Sequence, residues 1–287
     1  MSQTVPDRRS ALSEVRALEP ADKAELCALL DRDPAVNVFV RHRVDTTGLH
    51  EGLLGGRIWG YHEDGVLVSA CHAGANVVPV EATPAAIDAF AERLLIDDHR
   101  AASVVGPREQ VDPLWRLLAP HWGPARSPRP VQPFLELNGP TATSPDLRLR
   151  RVMIDEFELL YPACVAMFRE EVGVDPEAGG ALNYRARVSQ LIASGWSFAI
   201  IEDDRVLFKA EVGAATAQAC QIQGVWVHPD LRGTGLSAGA LAAMVDQVRL
   251  LIAPIVTLYV NERNVPARAL YERVGFTQTA TFASYLL

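Results

Sequence analysis

Apolar residues recur at helical spacing near the start of each half of the chain. Between Pro20 and Asp31 they fall three or four positions apart, and the same spacing returns between Asp155 and Phe168. Residues spaced in this way share one face of an α-helix. Each half is therefore predicted to begin with an amphipathic helix.

Two short apolar runs around an acidic turn follow each predicted helix. Residues 58–61 and 66–71 flank such a turn in the first half, and residues 198–201 and 206–212 flank another in the second. Each pair is typical of a β-hairpin. The similar order and spacing suggest an internal duplication, although hairpins are common enough to occur twice without one.

The second half continues with alternating strand and helix patterns. The pattern predicts a strand at Cys220–Val227, a glycine-rich loop at Asp230–Gly235, a helix at Leu236–Leu250, a strand at Ile255–Asn261, a helix at Val265–Val274 and a last strand at Thr279–Leu286. Such alternation around a central sheet predicts an α/β (α+β) fold.

Two stretches rich in proline, glycine and serine separate the halves. They cover residues 123–130 and 138–145, with a possible short strand at Val131–Leu137 between them, and breakers of this kind mark linkers. The predicted organisation, with a boundary near residue 145, is a flexible tail at 1–15, a first domain at 16–140 and a second domain at 147–287.

The composition narrows the function classes. Hydrophobic residues make up 49% and charged residues 22% of the 287 positions, as in ordinary globular proteins. A net charge of -8 disfavours nucleic acid as a partner, because phosphate binding needs clustered positive charge. No segment resembles a signal peptide or a membrane span, and the four cysteines are scattered, so we predict a cytoplasmic protein without a metal site.

The clearest chemical signal is the transition from strand to helix around residues 230–237. A β-branched strand runs into a loop with Gly233 and Gly235, and a helix follows directly. Glycines let several backbone N–H groups turn toward one point, and the start of a helix adds unpaired N–H donors with a partial positive charge. The pattern favours a phosphate or pyrophosphate site, while a plain structural turn is the alternative.

This loop resembles the cofactor motif of the GNAT superfamily of N-acetyltransferases. The family pattern R/Q-x-x-G-x-G/A is matched by Arg232, Gly235 and Ser237, where the serine departs from the usual Gly or Ala. The resemblance implies acetyl-CoA as co-substrate, with the preceding strand splayed from its neighbour. The cofactor-binding residues that it implies are Val225, Trp226, Val227, Arg232, Gly233, Thr234, Gly235, Leu236, Ser237, Ala238, Asn261, Asn264 and Ala267.

A second match lies at residues 261–276, which are similar to the family element N-x-x-A-x-x-L-Y-x-x-x-G-F. Local chemistry agrees with a short capped helix, because Asn264 suits the N-cap, Pro266 the first turn and Gly275 the C-terminal stop. By resemblance, Tyr271 is the acid that protonates the departing thiolate. The two matches together make residues 147–287 similar to a GNAT domain.

The implied reaction is direct attack of a primary amine on the thioester of acetyl-CoA. The acceptor amine must lose a proton, since a lysine-like amine has a pKa near ~10.4, and a strand N–H between Val225 and Val227 would polarise the thioester carbonyl. Glu211 is the preferred general base. Glu170, Glu171 and His228 remain alternatives, and a solvated surface charge is an equal explanation for each of these residues.

The first half lacks a matching loop. At the position where a cofactor motif was sought, residues 104–110 contain Pro107, which has no N–H to donate. The whole chain resembles tandem actinobacterial proteins with an uncharacterised, degenerate GNAT-like first half. The alternative functions are a catalytically weak acyl-CoA sensor and, less favoured, a nucleotide-binding module. The amine acceptor and the oligomeric state stay open, although the acidic stretch 170–177 favours a cationic acceptor.

Overall fold

A computed structural model describes residues 13–97, 101–178 and 180–287. Most of the predicted tail, residues 1–12, lies outside this part of the chain. The described residues form two compact units that are discontinuous in sequence. Their described parts are 13–33, 43–130 (except 98–100) and 282–287 for the first unit, and 34–42 and 131–281 (except 179) for the second.

The first unit is built on a mixed sheet. Its strands are β1 (Ser13–Ala17), β2 (Arg57–Glu63), β3 (Val66–Ala73), β4 (Asn76–Val80) and β5 (Ser103–Pro107), and the end of β12 (Thr277–Leu286) completes it. Strands β1 to β4 are antiparallel, β4 and β5 are parallel, and residues 282–286 of β12 run antiparallel to β5. Residues 13–15 of the predicted tail therefore belong to a paired strand.

The second unit repeats this strand arrangement. Its strands are β6 (Ser127–Leu137), β7 (Arg150–Arg151), β8 (Ser197–Glu202), β9 (Arg205–Ala215), β10 (Ala219–Val227) and β11 (Ile255–Tyr259). Strands β7 to β10 are antiparallel, β10 and β11 are parallel, and β6 runs antiparallel to β11. The two units share one topology, which supports the internal duplication suggested by the hairpins.

The helices cover the sheets, and those at residues 23–30, 157–172, 236–251 and 265–274 correspond to the predicted ones. They are α1 (Lys23–Leu30), α2 (Val38–Thr47), α3 (Glu51–Leu54), α4 (Pro84–Ile96), α5 (Arg108–Trp122), α6 (Phe157–Val172), α7 (Leu182–Ala193), α8 (Leu236–Leu251) and α9 (Val265–Val274). In the second unit, α8 and α9 pack a core on one face of the sheet, and α6 and α7 pack another on the opposite face. The predicted mixed α/β fold is confirmed.

The compact units differ from the predicted linear domains, 16–140 and 147–287, at their edges. Each sheet takes a strand from the other half of the chain, since β6 precedes the predicted boundary near 145 and residues 282–287 follow it. Hydrophobic periodicity identifies a strand but not the sheet that it joins, because strand partners are set by tertiary contacts. None of the helices in the described ranges has both the length and the apolar character of a membrane span.

Candidate functional site

A β-bulge in β10 shapes the centre of the candidate site. The register pairs Gln223 with Glu211 and Trp226 with Lys209, so two residues of β10 lie opposite one residue of β9. Gly224 sits in this bulge with φ +60°, and a Cβ at this position would lie 3.0 Å from Met167 Cε. Glycine is favoured here by both the left-handed backbone and the close approach of α6.

Before the bulge, β10 already leaves its parallel neighbour. The ladder between β10 and β11 ends at the pair Gln221–Thr257, whereas β10 continues to Val227. Backbone groups on this edge of residues 222–227 therefore face a gap instead of a neighbouring strand. The backbone of Val225, Trp226 and Val227 lies in this splayed part, as the resemblance implied.

The loop after β10 presents the start of α8 to open space. Gly233 and Gly235 have φ values of +79° and +91°, and no atom lies within 4 Å of a Cβ built on either residue. Gly235 is the N-cap of α8 and has no side chain with which to cap it. The N–H of Ala238 donates to the carbonyl of Gly235 at 3.2 Å. The first two N–H groups of the helix, those of Leu236 and Ser237, therefore remain directed toward the loop, which is the geometry of an anion site.

Helix α9 begins and ends where the sequence predicted. The side chain of Asn264 accepts a hydrogen bond from the N–H of Ala267 at 3.2 Å, Pro266 lies in the first turn, and Gly275 ends the helix with φ +114°. Asn261 accepts from the N–H of Arg263 at 3.1 Å. The asparagines thus shape the loop and the helix start that follow β11.

Tyr271 lies on the buried side of α9. Its ring packs in the core under α8 and meets the ring of Phe276 edge-on at 6.0 Å between centroids. Burial raises the pKa of Tyr271, and the nearby carboxylate of Glu171 raises it further. The hydroxyl therefore keeps its proton throughout the neutral range.

Glu211 lies beside the cofactor strand, but both of its carboxylate oxygens are engaged. Lys209 Nζ donates to Glu211 Oε2 at 2.8 Å, and Gln223 Nε2 donates to Oε1 at 3.0 Å. Lys209 is only 1% exposed and also lies 3.7 Å from Cys164 Sγ. Burial alone would lower the pKa of Lys209. The charges of Glu211 and Cys164, together with the hydrogen bonds to both, outweigh the effect of burial, so the pKa of Lys209 is raised.

The last turn of α6 reaches the cofactor loop. Arg232 Nη2 lies 3.0 and 2.8 Å from the two carboxylate oxygens of Glu170, and Arg232 Nε donates to the carbonyl of Val227 at 3.2 Å. Trp226 Nε1 also donates to Glu170, at 3.4 Å. His228, by contrast, accepts from the N–H of Asp230 at 3.3 Å and caps a local turn.

The comparisons with known proteins agree with this geometry. Residues 186–276 match the model of the acetyltransferase (GNAT) family. The chain carries a GNAT acetyltransferase domain. Residues 56–160 match a domain of unknown function, DUF4081, and no curated protein matches the chain in sequence.

Solved structures share the fold over nearly the whole chain. A GNAT-family acetyltransferase from Colwellia psychrerythraea is 12% identical with a TM-score of 0.56, covering 96% of this chain and 99% of its own. A GCN5-related N-acetyltransferase from Sphaerobacter thermophilus is 18% identical with a TM-score of 0.60, covering 98% and 96%. A tandem GNAT protein from the clavulanic acid biosynthesis pathway is 16% identical with a TM-score of 0.54, covering 95% and 98%.

The first unit has a different loop at the position equivalent to the GNAT cofactor loop. Because β4 and β5 are its parallel pair, the equivalent segment is 81–83 and not 104–110, where the sequence analysis looked for it. The N–H groups of Ala82, Thr83 and Ala86 are hydrogen-bonded to side chains of this unit, and Pro84 has none to give. Few donors remain here for a phosphate group.

The second unit contains contacts that sequence analysis missed. Lys209 and Glu211 lie two positions apart on one strand, so the sequence already predicts that their side chains share one face of the sheet. A glycine inside a strand pattern also signals a bulge at Gly224. The pairing of Glu170 with Arg232 had no sequence signal, because 62 positions separate the two residues.

Proposed function

We propose that the protein is an acetyl-CoA-dependent N-acetyltransferase that acts on a primary amine. The observation that carries this proposal is the combination of the splayed end of β10 with the open, uncapped start of α8. The helix start holds the pyrophosphate, and the splayed strand offers its backbone to the pantetheine arm. One N–H between Val225 and Val227 polarises the thioester carbonyl.

In the proposed reaction, the acceptor amine attacks the thioester carbon of acetyl-CoA directly. The C–N bond forms and the C–S bond breaks. The neutral amine nitrogen gives one proton to the general base, and the sulfur leaves as the CoA thiolate or takes a proton from Tyr271. Tyr271 donates a hydrogen bond or a proton to the departing sulfur, which needs only modest help because a thiol has a pKa of about 8–9. The cytoplasm is the proposed location.

Glu211, the preferred general base, already accepts two hydrogen bonds. Its Oε2 accepts from Lys209 and its Oε1 from Gln223, so the carboxylate belongs to a buried ion pair before any acceptor binds. This observation favours the second candidate function, a catalytically weak acyl-CoA sensor. Acetyl transfer to an amine, or slow hydrolysis of acetyl-CoA, that is abolished in Tyr271→Phe would identify an enzyme. Tight binding without any turnover would identify a sensor.

Ligand-induced stabilisation tests the cofactor site first. At a hundredfold excess over Kd, acetyl-CoA should add about 2.7 kcal/mol to the free energy of unfolding, a shift of roughly 5–11 °C in Tm for a unit of this size. The double variant Arg232→Glu, Gly235→Asp places two carboxylates in the loop and should lose the shift. Equal stabilisation of the double variant, or none in the parent at millimolar acetyl-CoA, would contradict the proposed site.

A further inference from the structure

We propose that Glu170 and the pyrophosphate of the cofactor compete for Arg232, so that cofactor binding releases Glu170 to hold a cationic acceptor. This inference rests on the proposed function. It concerns the contact between the last turn of α6 and the cofactor loop, both within the second unit.

The single guanidinium group of Arg232 can bind either of two anionic groups, the carboxylate of Glu170 or the pyrophosphate of the cofactor. Its Nη2 is held by both oxygens of Glu170, while Nε is bound to the carbonyl of Val227 at the end of the splayed strand. Arg232 directly precedes Gly233, where the open loop begins. A guanidinium fork fits phosphate as well as carboxylate, but the same N–H group cannot serve both.

The position of Glu170 makes its pairing reversible. Both side chains are 48% exposed, and an ion pair at this exposure contributes little, equivalent to a factor of about 1.4 to 5 in a binding constant. A doubly charged pyrophosphate beside the start of α8 is a stronger partner for Arg232 than one exposed carboxylate. We therefore expect the pyrophosphate to displace Glu170 from Arg232, with a small loss of cofactor affinity.

Release of Arg232 creates a site for a cation. Glu170 lies in the last turn of α6, where the partial negative charge of the helix end disfavours a carboxylate, and Glu171 follows it directly,. The bond from Trp226 Nε1 keeps Glu170 next to the splayed strand. An ammonium group is the ligand that compensates this charge, beside the residue of the splayed strand that binds Glu170.

Calorimetric titration with CoA tests the competition. Glu170→Gln removes the charge that holds Arg232, so CoA should bind about two- to fivefold more tightly. Glu171→Gln is the matched control, because it removes the same charge one residue away without touching the Arg232–Glu170 pair. In an Arg232→Gln background, Glu170→Gln should leave the affinity unchanged.

The outcomes separate this inference from the proposed function. Unchanged or weaker CoA binding in Glu170→Gln overturns the competition, and so does an equal gain in Glu171→Gln, which would indicate general repulsion. Absence of CoA binding in the parent overturns the proposed function and the inference with it. All variants are compared by thermal unfolding, so that a loss of folding is not mistaken for a loss of binding.

A second titration tests the cation site with 1,4-diaminobutane as probe. With CoA saturating, the diamine should bind the parent at least about fivefold more tightly than Glu170→Gln. Without CoA this difference should shrink, because Arg232 then occupies Glu170. No binding to the parent, or equal binding to the variant, would show that Glu170 does not hold the cation.

Discussion

The environment of Tyr271 fits a proton donor better than a proton acceptor. Burial raises its pKa, and the Glu171 carboxylate adds to this effect. A phenol whose pKa is raised stays protonated below its ordinary value near 10, so the acid form persists over the whole working range. In the proposed reaction, the hydroxyl therefore stabilises the departing sulfur without any change of its resting state.

Replacement of Tyr271 by Phe should lower kcat for acetyl transfer about 100-fold, because one hydrogen bond to the leaving group is lost. The Kd for acetyl-CoA should stay within about twofold, since the ring and its packing remain. Stopped assays of CoA release, with calorimetry for Kd, measure both. Tyr285→Phe in the first unit is the control, and a kcat loss of similar size in that variant would remove the special role of Tyr271.

Individual residues differ in how well the sequence predicted them. The caps of α9 at Asn264 and Gly275 are confirmed, because capping depends on neighbouring positions alone,. The contacts of Arg232 with Glu170 and of Glu211 with Gln223 were not predicted, since they form only when separate elements come together. The sequence therefore identified these charged residues of the candidate site but not the partners that determine their roles.

At the scale of elements, the antiparallel strands β9 and β10 bring the buried ion pair of β9 against the bulge of β10. Lys209 and Glu211 lie on the face of β9 toward α6, and the bulge at Gly224 brings β10 within van der Waals reach of both. A Cβ at Gly224 would lie 3.1 Å from Lys209 Nζ and 3.2 Å from Glu211 Cδ. The bulge and the ion pair are therefore in direct contact, and glycine at position 224 leaves the room that the two charged side chains occupy.

Glu211→Gln should lower the free energy of unfolding by about 3–5 kcal/mol, because it leaves the Lys209 charge buried without a counter-charge. Replacing both residues, as in Lys209→Met with Glu211→Leu, should cost less than Glu211→Gln alone. Urea denaturation at pH 7 measures the differences. A larger loss in the double variant would show that the pair is a net source of stability.

The pH dependence of this pair follows from the raised pKa of Lys209. A raised value in the folded state means that the contribution of Lys209 is complete below its unfolded pKa near 10.5 and fades as the pH rises through the folded value. Differences between the parent and the Lys209→Met, Glu211→Leu variant should therefore stay constant from about pH 7 to 9. They should shrink only at more alkaline pH.

For the molecule as a whole, one topology serves two units with different loops. Both have a parallel pair whose ladder ends early, β4 with β5 and β10 with β11. Only the second follows this pair with an uncapped, glycine-rich helix start, whereas Thr83 caps the corresponding helix in the first. The fold class was predictable from hydrophobic periods, but the equivalent loops were not, because aligning them required the strand pairing.

Hydrogen exchange should therefore distinguish the two units. Saturating acetyl-CoA should slow exchange of amides at residues 222–227 and 232–238 by about tenfold or more, since these groups gain partners. Residues 78–86 should exchange at the same rate with and without the cofactor. Protection of both segments would indicate a second acyl-CoA site and contradict the degenerate assignment of the first unit.

The end of β12 gives a last test of how the chain is shared between the units. Tyr285 stacks on Trp115 at 4.9 Å between centroids, and its hydroxyl donates to Asp112 at 2.9 Å. Tyr285→Ala should destabilise the first unit by about 3 kcal/mol, and Tyr285→Phe by about 1 kcal/mol. Faster amide exchange in β4 and β5 reports this loss, because residues 282–286 pair with β5. Unchanged exchange there would mean that the first unit holds its sheet without the C-terminal strand.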